Sequence, residues 1–600
     1  MSLADELAKK QRSISVAEFF EKNKHLLGFD SPVRGIITTV KEAVDNSLDA
    51  CEEAMVLPDI YIGIKKVSGE VYRIIVEDNG PGIVPDQIPY VFGKLLYGSR
   101  FHQIKQSRGQ QGIGISAAVL YAQLTTGVPT TVISRTGASS PAWRFDIQID
   151  IESNEPEILR REETEWDRTH GTRVQIEFRS TLAAKKRLLD YLKYTSIVNP
   201  HARIRVEMDD DAFLFERVSD EVIACPEPIQ PHPHGIEIGN LKRMLAYSED
   251  NLEDFLVNGF ARVGTKTARE MCRLAGLAPD TKAKTLTPAQ QKSLIDAMQQ
   301  VKVPAPPTTQ CLSPIGETLI IQGLEKEIQL DFVSARTRPS SVYSGNPFMV
   351  EAAIGYGGKL PPEGNAQILR FANRVPLVYQ QGACAITGCV AGVNWKTYGI
   401  SQSGLPIGPL LILVHIASTN VPFTSESKDA IASIPEIEKE VTLALQELGR
   451  ELKTYLSRRD KSRLQEDRAR AVCAIIPEIA AKVAEIVELP PPDISPIEGK
   501  IMRKLVTRRE TRDGKVAIEV RNYTDQKGAI TLYDISPDTA EDATIKPDFS
   551  TQMEQEVTKV WQVPIEPGSV WRVEYSGAGG GSLDIRGIDQ KYVVTVDLDV

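Results

Sequence analysis

Val33–Cys51 reads VRGIITTVKEAVDNSLDAC, and the rest of the chain is organised around it. With residues about 100° apart on a helix, Val33, Ile36, Ile37, Val40, Val44, Leu48 and Cys51 share one broad apolar face. Opposite it, Glu42, Asp45, Asn46 and Asp49 fall within an arc of roughly 100°. Acidic groups this close repel one another unless something positive meets them. From the helix alone two readings stay open. One is a solvated surface helix, the other a metal–nucleotide site with a carboxylate base and an amide oxygen ligand one turn apart. Ser31-Pro32 supplies a good cap and first-turn pair in front of it.

Outward from this helix, 600 residues are too many for one core, and about 150 residues per domain implies roughly four domains. Regions 1–229, 230–306, 307–490 and 491–600 separate at composition changes and at the proline runs Val303-Pro304-Ala305-Pro306-Pro307 and Pro490-Pro491-Pro492. No apolar run approaches the ~18 residues of a membrane span, and the start is not a signal peptide. The seven scattered cysteines fit neither a disulfide framework nor zinc spacing, which reads as reduced thiols in a cytoplasm. His232 and His234 flank a proline with no further ligands clustered nearby, and read as linker. A net charge of −10 argues against a uniformly basic surface but leaves room for local basic patches on nucleic acid.

Val16, Phe19 and Phe20 form a short apolar patch in an otherwise polar start, suited to an arm or strap. Alternating apolar residues predict strands over 59–67, 71–76, 130–136, 142–151 and 172–179, mixed with helices in an α/β sandwich of largely antiparallel strands. Region 230–306 reads as helical, with Leu252–Leu256 and Thr267–Leu274 flanking a turn. Region 307–490 returns to α/β, with strands expected near 317–322, 347–354, 366–380 and 409–417. A helix is expected over Ile434–Leu489, broken at Pro477. The last ~100 residues alternate at Val516, Ile518, Val520 and at Val593, Thr595, suggesting a small β-sandwich.

Two loops bear on the helix. Glu77-Asp78-Asn79-Gly80-Pro81-Gly82-Ile83 stops the second strand in a tight turn, where Asp78 could accept a hydrogen bond from an exocyclic amine such as adenine N6. Arg108-Gly109-Gln110-Gln111-Gly112-Ile113-Gly114-Ile115 opens the next helix, presenting backbone N–H groups suited to phosphate oxygens. It is not a Walker A loop, since no Lys-Ser/Thr follows the last glycine. Gly259–Thr267 is a near miss for Walker A, with its lysine displaced, and it follows a helix rather than a strand.

The ordered set of Glu42 with Asn46, the DNGPGI loop, RGQQGIG and His170-Gly171-Thr172 resembles the Bergerat (GHKL) ATP-binding fold shared by gyrase B, Hsp90, histidine kinases and MutL. The resemblance implies that ATP and Mg²⁺ bind here. Glu42 is similar to that family's general base and Asn46 to its Mg²⁺ ligand. Asp78 with Gly80, Gly82 and Thr172 is similar to its adenine site. Ser99-Arg100 and Arg108–Ile115 resemble its lid and phosphate-cradling segments, and Lys428, in Ser425-Glu426-Ser427-Lys428, resembles its switch lysine on the γ-phosphate.

The helical insert, together with Phe371-Ala372-Asn373-Arg374-Val375-Pro376 and Asn394-Trp395-Lys396-Thr397-Tyr398, resembles the B-subunit family of type IIB DNA topoisomerases, of archaeal type. By that resemblance region 230–306 is a helix-two-turn-helix module, 307–490 an S5-like transducer with a long stalk helix, and 491–600 immunoglobulin-like. Also implied are ATP-driven self-dimerisation and an A subunit that cuts DNA, in an A2B2 heterotetramer. One duplex would pass through a break in another, relaxing supercoils and decatenating DNA. Candidate contacts to double-stranded DNA are Lys185, Lys186 and Arg187, then Trp395, Lys396 and Tyr398, and in the insert Arg262, Lys266, Arg269 and Arg273. Related subunits carry a KGRR-like loop near the first group, whereas this chain has Ala183-Ala184-Lys185-Lys186-Arg187, which leaves the charge but changes the contacts. A MutL- or Hsp90-like clamp on protein clients, and a nucleotide-gated scaffold with little hydrolysis, are the competing readings. Glu42 favours hydrolysis, and the insert favours DNA.

Overall fold

In the computed structural model a short helix α1 (Val16–Lys22), capped by the Ser15 hydroxyl, precedes the organising helix α2 (Pro32–Glu53). Ser31 caps α2 by accepting the Arg34 N–H at 3.3 Å. The structure describes residues 14–24, 28–98, 103–109, 112–181, 183, 185–308, 310–425, 428–553, 555–578 and 580–599. Two compact units divide the chain, Met1–Tyr455 and Leu456–Val600.

The first unit begins with an eight-stranded sheet. Its elements run β1 (Asp59–Ser68), β2 (Val71–Glu77), α3 (Ile88–Gly93), α4 (Gly114–Thr126), β3 (Thr130–Arg135), β4 (Ala142–Asp150), β5 (Glu155–Thr164), β6 (Gly171–Arg179), α5 (Lys185–Val198), β7 (Arg203–Met208) and β8 (Asp211–Phe215). The order is β5-β4-β3-β6-β2-β1-β7-β8, antiparallel throughout except for the β1–β7 pair. Ile60, Ile62 and Ile64 from β1 meet Ile36, Ile37, Val40, Val44 and Leu48 from α2 in one core. Each such side chain contributes about 1.5–3 kcal/mol by leaving water. The period of 3.6 on α2 and of 2 on β1 and β2 thus fixes which way the acidic face of α2 points, away from the sheet. Three strands go beyond the expected set. β5 is an edge strand and reads EPEILRREET, too charged for a strand pattern because most of it faces water. β7 and β8 are short and complete the opposite edge.

Four helices follow, α6 (Ile238–Tyr247), α7 (Leu252–Gly259), α8 (Thr265–Ala275) and α9 (Pro288–Gln300), around a core of their own that includes Leu241, Leu256, Met271 and Leu294. The second α/β region then runs α10 (Glu317–Glu327), β9 (Phe332–Thr337), β10 (Ser341–Tyr343), β11 (Asn346–Tyr356), β12 (Gln367–Ala372), β13 (Val375–Pro376), α11 (Ala385–Gly392), β14 (Ser401–Ser403), β15 (Leu405–Ile407), β16 (Leu410–Ser418) and α12 (Pro435–Val487). The strand expected at 317–322 is helical. Its apolar run is short enough to suit either state, and burial of Ile320, Gly323 and Leu324 on one face decides for helix. The break expected at Pro477 is also absent, since α12 runs through it. Proline there removes one hydrogen bond from a largely exposed stretch, where water can take the freed carbonyl.

The boundary between the units falls inside α12. Beyond it come α13 (Ser495–Met502), β17 (Leu505–Arg512), β18 (Lys515–Asn522), β19 (Gly528–Ser536), β20 (Phe549–Met553), β21 (Glu556–Ile565), β22 (Val570–Ser576), β23 (Ser582–Arg586) and β24 (Val593–Asp599). They form two four-stranded sheets, β22-β18-β17-β24 and β20-β21-β19-β23, around Ile518, Leu532, Trp561 and Val573. Among the described residues no helix is long and apolar enough to cross a membrane, and all seven cysteines are free thiols.

Candidate active site

A cavity of about 720 Å³ opens on the acidic face of α2, lined by Glu42, Asn46, Asp78, Gly82, Gly109, Gly112–Ile115, Thr172 and Lys428. Residues far apart in sequence therefore face one space.

Asp78 closes its inner end. The turn after β2 carries it under β6, where its N–H donates to Thr172 O at 2.9 Å. Its carboxylate accepts the Gly80 N–H at 2.9 Å, the Thr172 N–H at 3.1 Å and the Ser47 hydroxyl at 2.9 Å. Burial pushes its pKa up, and those three donors pull the other way. With three donors on about four lone-pair sites, the carboxylate keeps capacity to accept one more N–H from a ligand. Gly171 is required here, because a Cβ on it would sit 2.2 Å from Asp78 O. The Ser134 and Thr172 hydroxyls lie 3.1 Å apart and extend the network. Sequence reading missed Ser47. It lies five residues after Glu42, on the side of α2 that turns inward.

Glu42 and Asn46 occupy the middle of the cavity wall. The first turn of α4 comes so close that a Cβ on Gly114 would lie 1.8 Å from the Glu42 carboxylate. Among the described residues no side chain caps α4, and the helix N-terminus sets a partial positive charge beside Glu42. Lys428 comes from the second α/β region with a left-handed backbone, φ +56°. Burial lowers its ammonium pKa, and the charge of Glu42 opposes that shift. Asp429, next in the chain, pairs with Arg34 of α2 at 2.5 Å, and the Arg34 guanidinium lies 4.5 Å from the Tyr379 ring centre. Neither Arg34 nor Tyr379 carries a sequence signal, since their roles depend on long-range convergence.

Arg108 departs from the expected phosphate cradle. It is buried and is not among the residues lining the cavity; its guanidinium reaches Asp49 at 2.5 Å, Glu52 at 2.7 Å and Asn199 at 2.5 Å. Its guanidinium is spent on neutralising α2, and Asp49 gains a partner that its sequence position did not reveal. Ser99, Arg100, Gln110, Gln111, Glu426 and Ser427 lie outside the described residues.

The basic candidates are scattered. Lys185 pairs with Asp211, Lys186 and Arg187 are exposed, and Arg187 lies 5.7 Å from the Tyr379 ring centre. Trp395 is not a surface aromatic. It is fully buried, with its indole N–H donating to Val390 O at 2.7 Å, because a large ring on a short turn fills the core. Lys396 is exposed, whereas Tyr398 is half-buried against Gly449 of α12. In the insert Arg262, Lys266 and Arg273 are exposed, and Arg269 pairs with Glu253 at 3.0 Å.

An aspartate under a glycine turn, a helix N-terminus and a carboxylate–amide pair around one cavity define an ATPase of the GHKL class. Residues 32–182 match the family model for histidine kinase-, DNA gyrase B- and HSP90-like ATPases. Residues 307–468 match the topoisomerase VI B subunit transducer, and 488–595 the C-terminal domain of the type 2 DNA topoisomerase 6 B subunit. The chain is 49% identical to the type 2 DNA topoisomerase 6 B subunit of Methanococcoides burtonii, over 99% of this chain and 97% of that one. It is 48% identical to the Methanosarcina acetivorans protein over the same shares, and 47% to that of Archaeoglobus fulgidus over 95% of each. The chain belongs to the family of type 2 DNA topoisomerase 6 B subunits and is the ATP-hydrolysing subunit of a type IIB topoisomerase.

Proposed function

We propose that this chain is an ATP-driven clamp that, with an A subunit in an A2B2 assembly, passes one DNA duplex through a break in another. The observation that carries the reading is the convergence of Glu42, Asp78, the α4 N-terminus and Lys428 on one cavity, because Lys428 comes from the region that follows the helical insert. Asp78 accepts the adenine amine. The first N–H groups of α4 receive phosphate oxygens, and Lys428 adds a cation at the terminal phosphate, where positioning and charge neutralisation drive phosphoryl transfer. Glu42 takes the proton of the attacking water.

Among the described residues no group of three or more His, Cys, Asp or Glu could hold a metal ion by itself. That suits a Mg²⁺ held by phosphates and waters with one protein oxygen, from Asn46, which is exposed on the cavity wall. When bound, Mg²⁺ neutralises phosphate charge. The proposed partition is 1–229 ATPase, 230–306 helix-two-turn-helix module, 307–490 S5-like transducer and stalk, and 491–600 immunoglobulin-like module, in a cytoplasmic protein. Exposed Ile475, Ile479, Val483 and Ile486 form a stripe along α12 that supports docking of a partner subunit. Exposed Lys186, Arg187, Lys396 and the insert's basic residues are proposed to meet DNA phosphates.

The test mixes the purified chain with its A partner, supercoiled DNA, Mg²⁺ and ATP. ATP-dependent relaxation is expected from the pair, and its absence overturns the reading.

A further inference from the structure

Gln106 and Ser107, which lead into the proposed phosphate cradle, are held by the second α/β region. Gln106 donates its backbone N–H to Cys311 O at 2.9 Å, while its side chain donates to Ser313 O at 3.2 Å and accepts the Ser313 N–H at 2.7 Å. The Asn373 amide donates to Ser107 O at 2.9 Å and to Ser418 O at 2.9 Å, and accepts the Ser418 N–H at 2.8 Å. Arg108 then binds Asp49 and Glu52 of α2, and Glu52 is held from its far side by Arg374 at 3.2 Å. Arg374 also reaches the Ser313 hydroxyl at 3.1 Å, and its backbone N–H donates to His415 Nε2 at 2.9 Å. His415 Nδ1 therefore carries the proton and donates to Glu351 at 2.8 Å. Gln106, Arg108, Glu52, Asn373, Arg374, His415 and Glu351 are all buried.

A second observation points the same way. Asn373 and Arg374 form the two-residue turn between β12 and β13, both with positive φ, +48° and +64°. Such turns favour Asn followed by Gly, so arginine in the second place strains the backbone. Its side chain, bridging Glu52 and Ser313, supplies the compensation for that strain. A buried network of this kind moves as a unit, because half of it leaves charges unpaired.

We propose that Asn373 and Arg374 are positioning residues that set the phosphate loop from the transducer side, by a route separate from Lys428. A shift of the second α/β region would pull on Gln106 and Ser107, and through them on the entry to the cradle. The proposal rests on the assignment of the cradle to Gly109 and Gly112–Ile115.

The experiment measures KM and kcat for ATP in the full chain assembled with its A partner. Asn373→Gly keeps the left-handed turn and deletes the amide. It is expected to raise KM about five- to tenfold, the size of one lost buried hydrogen bond, and to lower kcat less than that. Lys428→Ala is expected to lower kcat more than it raises KM, and the double variant to show both effects in full. Gln106→Ala attacks the same joint from the loop side and decides the matter if Asn373→Gly melts early. An unchanged KM in Gln106→Ala, or in an Asn373→Gly variant of normal melting temperature, overturns the proposal. Gly114→Ala separates the two levels, since its Cβ would enter Glu42. Normal turnover in that variant removes the cradle assignment itself, whereas lost turnover there with unchanged KM in the other two removes only the coupling.

Discussion

Glu42 and Glu52 stand on one helix, ten positions apart, and meet opposite surroundings. Glu42, with Asn46 one turn on, lines an open cavity beside the start of α4 and Lys428. Glu52, with Asp49, is sealed under Arg108, Arg374 and His201. Burial raises the Glu52 pKa, but the two guanidiniums overcome it and hold the carboxyl well below its usual range. Burial also holds the His201 imidazole below its ordinary value, which keeps it a neutral partner. Between the two halves sits Asp45, buried, with the Tyr191 hydroxyl 3.4 Å away. Its pKa is pushed up to about 7 by burial, with Lys41 opposing and Glu42 adding. One acidic face thus carries two functions. Its first half faces the cavity with Lys428 near Glu42, and its second half answers charge internally and ties the helix to the second α/β region.

Breaking the open half has the largest effect. Glu42→Ala is expected to cut kcat for ATP by about 10²–10⁴-fold while ATP binding is kept, as measured by turnover and equilibrium binding. Normal turnover would remove Glu42 from the mechanism. In the closed half, Glu52→Gln leaves Arg108 and Arg374 buried with too little negative charge, a loss of about 3–5 kcal/mol in urea unfolding of the first unit. The Glu52 pKa is depressed in the fold, so its stabilisation is complete above its ordinary 4.5 and fades as pH falls through the folded value. The variant should accordingly show a flatter acid limb than the parent; equal acid limbs would contradict the network. The smallest effect belongs to Asp45. Its raised pKa gives a contribution that is full below 3.8 and lost as pH rises through about 7. Asp45→Asn removes that loss, and its melting temperature at pH 8 should rise by about 2–4 °C. No gain at pH 8, or the same gain at pH 4, would refute the assignment.

Much of the first unit is legible because its elements follow local periods. α2, β1 and β2 lie where apolar spacing puts them, and the DNGPG turn lies at the end of β2. Sequence adjacency groups Arg108 with its glycine neighbours in the cradle, but it cannot tell which way a side chain turns. Trp395 reads with the lysine beside it as a surface pair, although its ring is core. The segment 317–322 reads as strand because three apolar residues carry no period long enough to separate the two states. Ser47 shows the same limit from the other side, whereas Thr172 is marked by its His-Gly-Thr motif. Their service to Asp78 exists only because α2, β2 and β6 pack together.

By itself the sequence determined that α2 has one apolar and one acidic face, that a rigid turn presents Asp78 and that glycine opens α4. Those properties follow from backbone geometry over a few residues, and their order along the chain marks the family. Only the tertiary structure decided which carboxylate stays open and which is paired, because pairing requires cations from distant segments. Arg108, Arg374 and Lys428 all converge on α2, two of them from the second α/β region. Removing charge from water is costly enough that the arrival of each cation fixes the fate of the acid it meets.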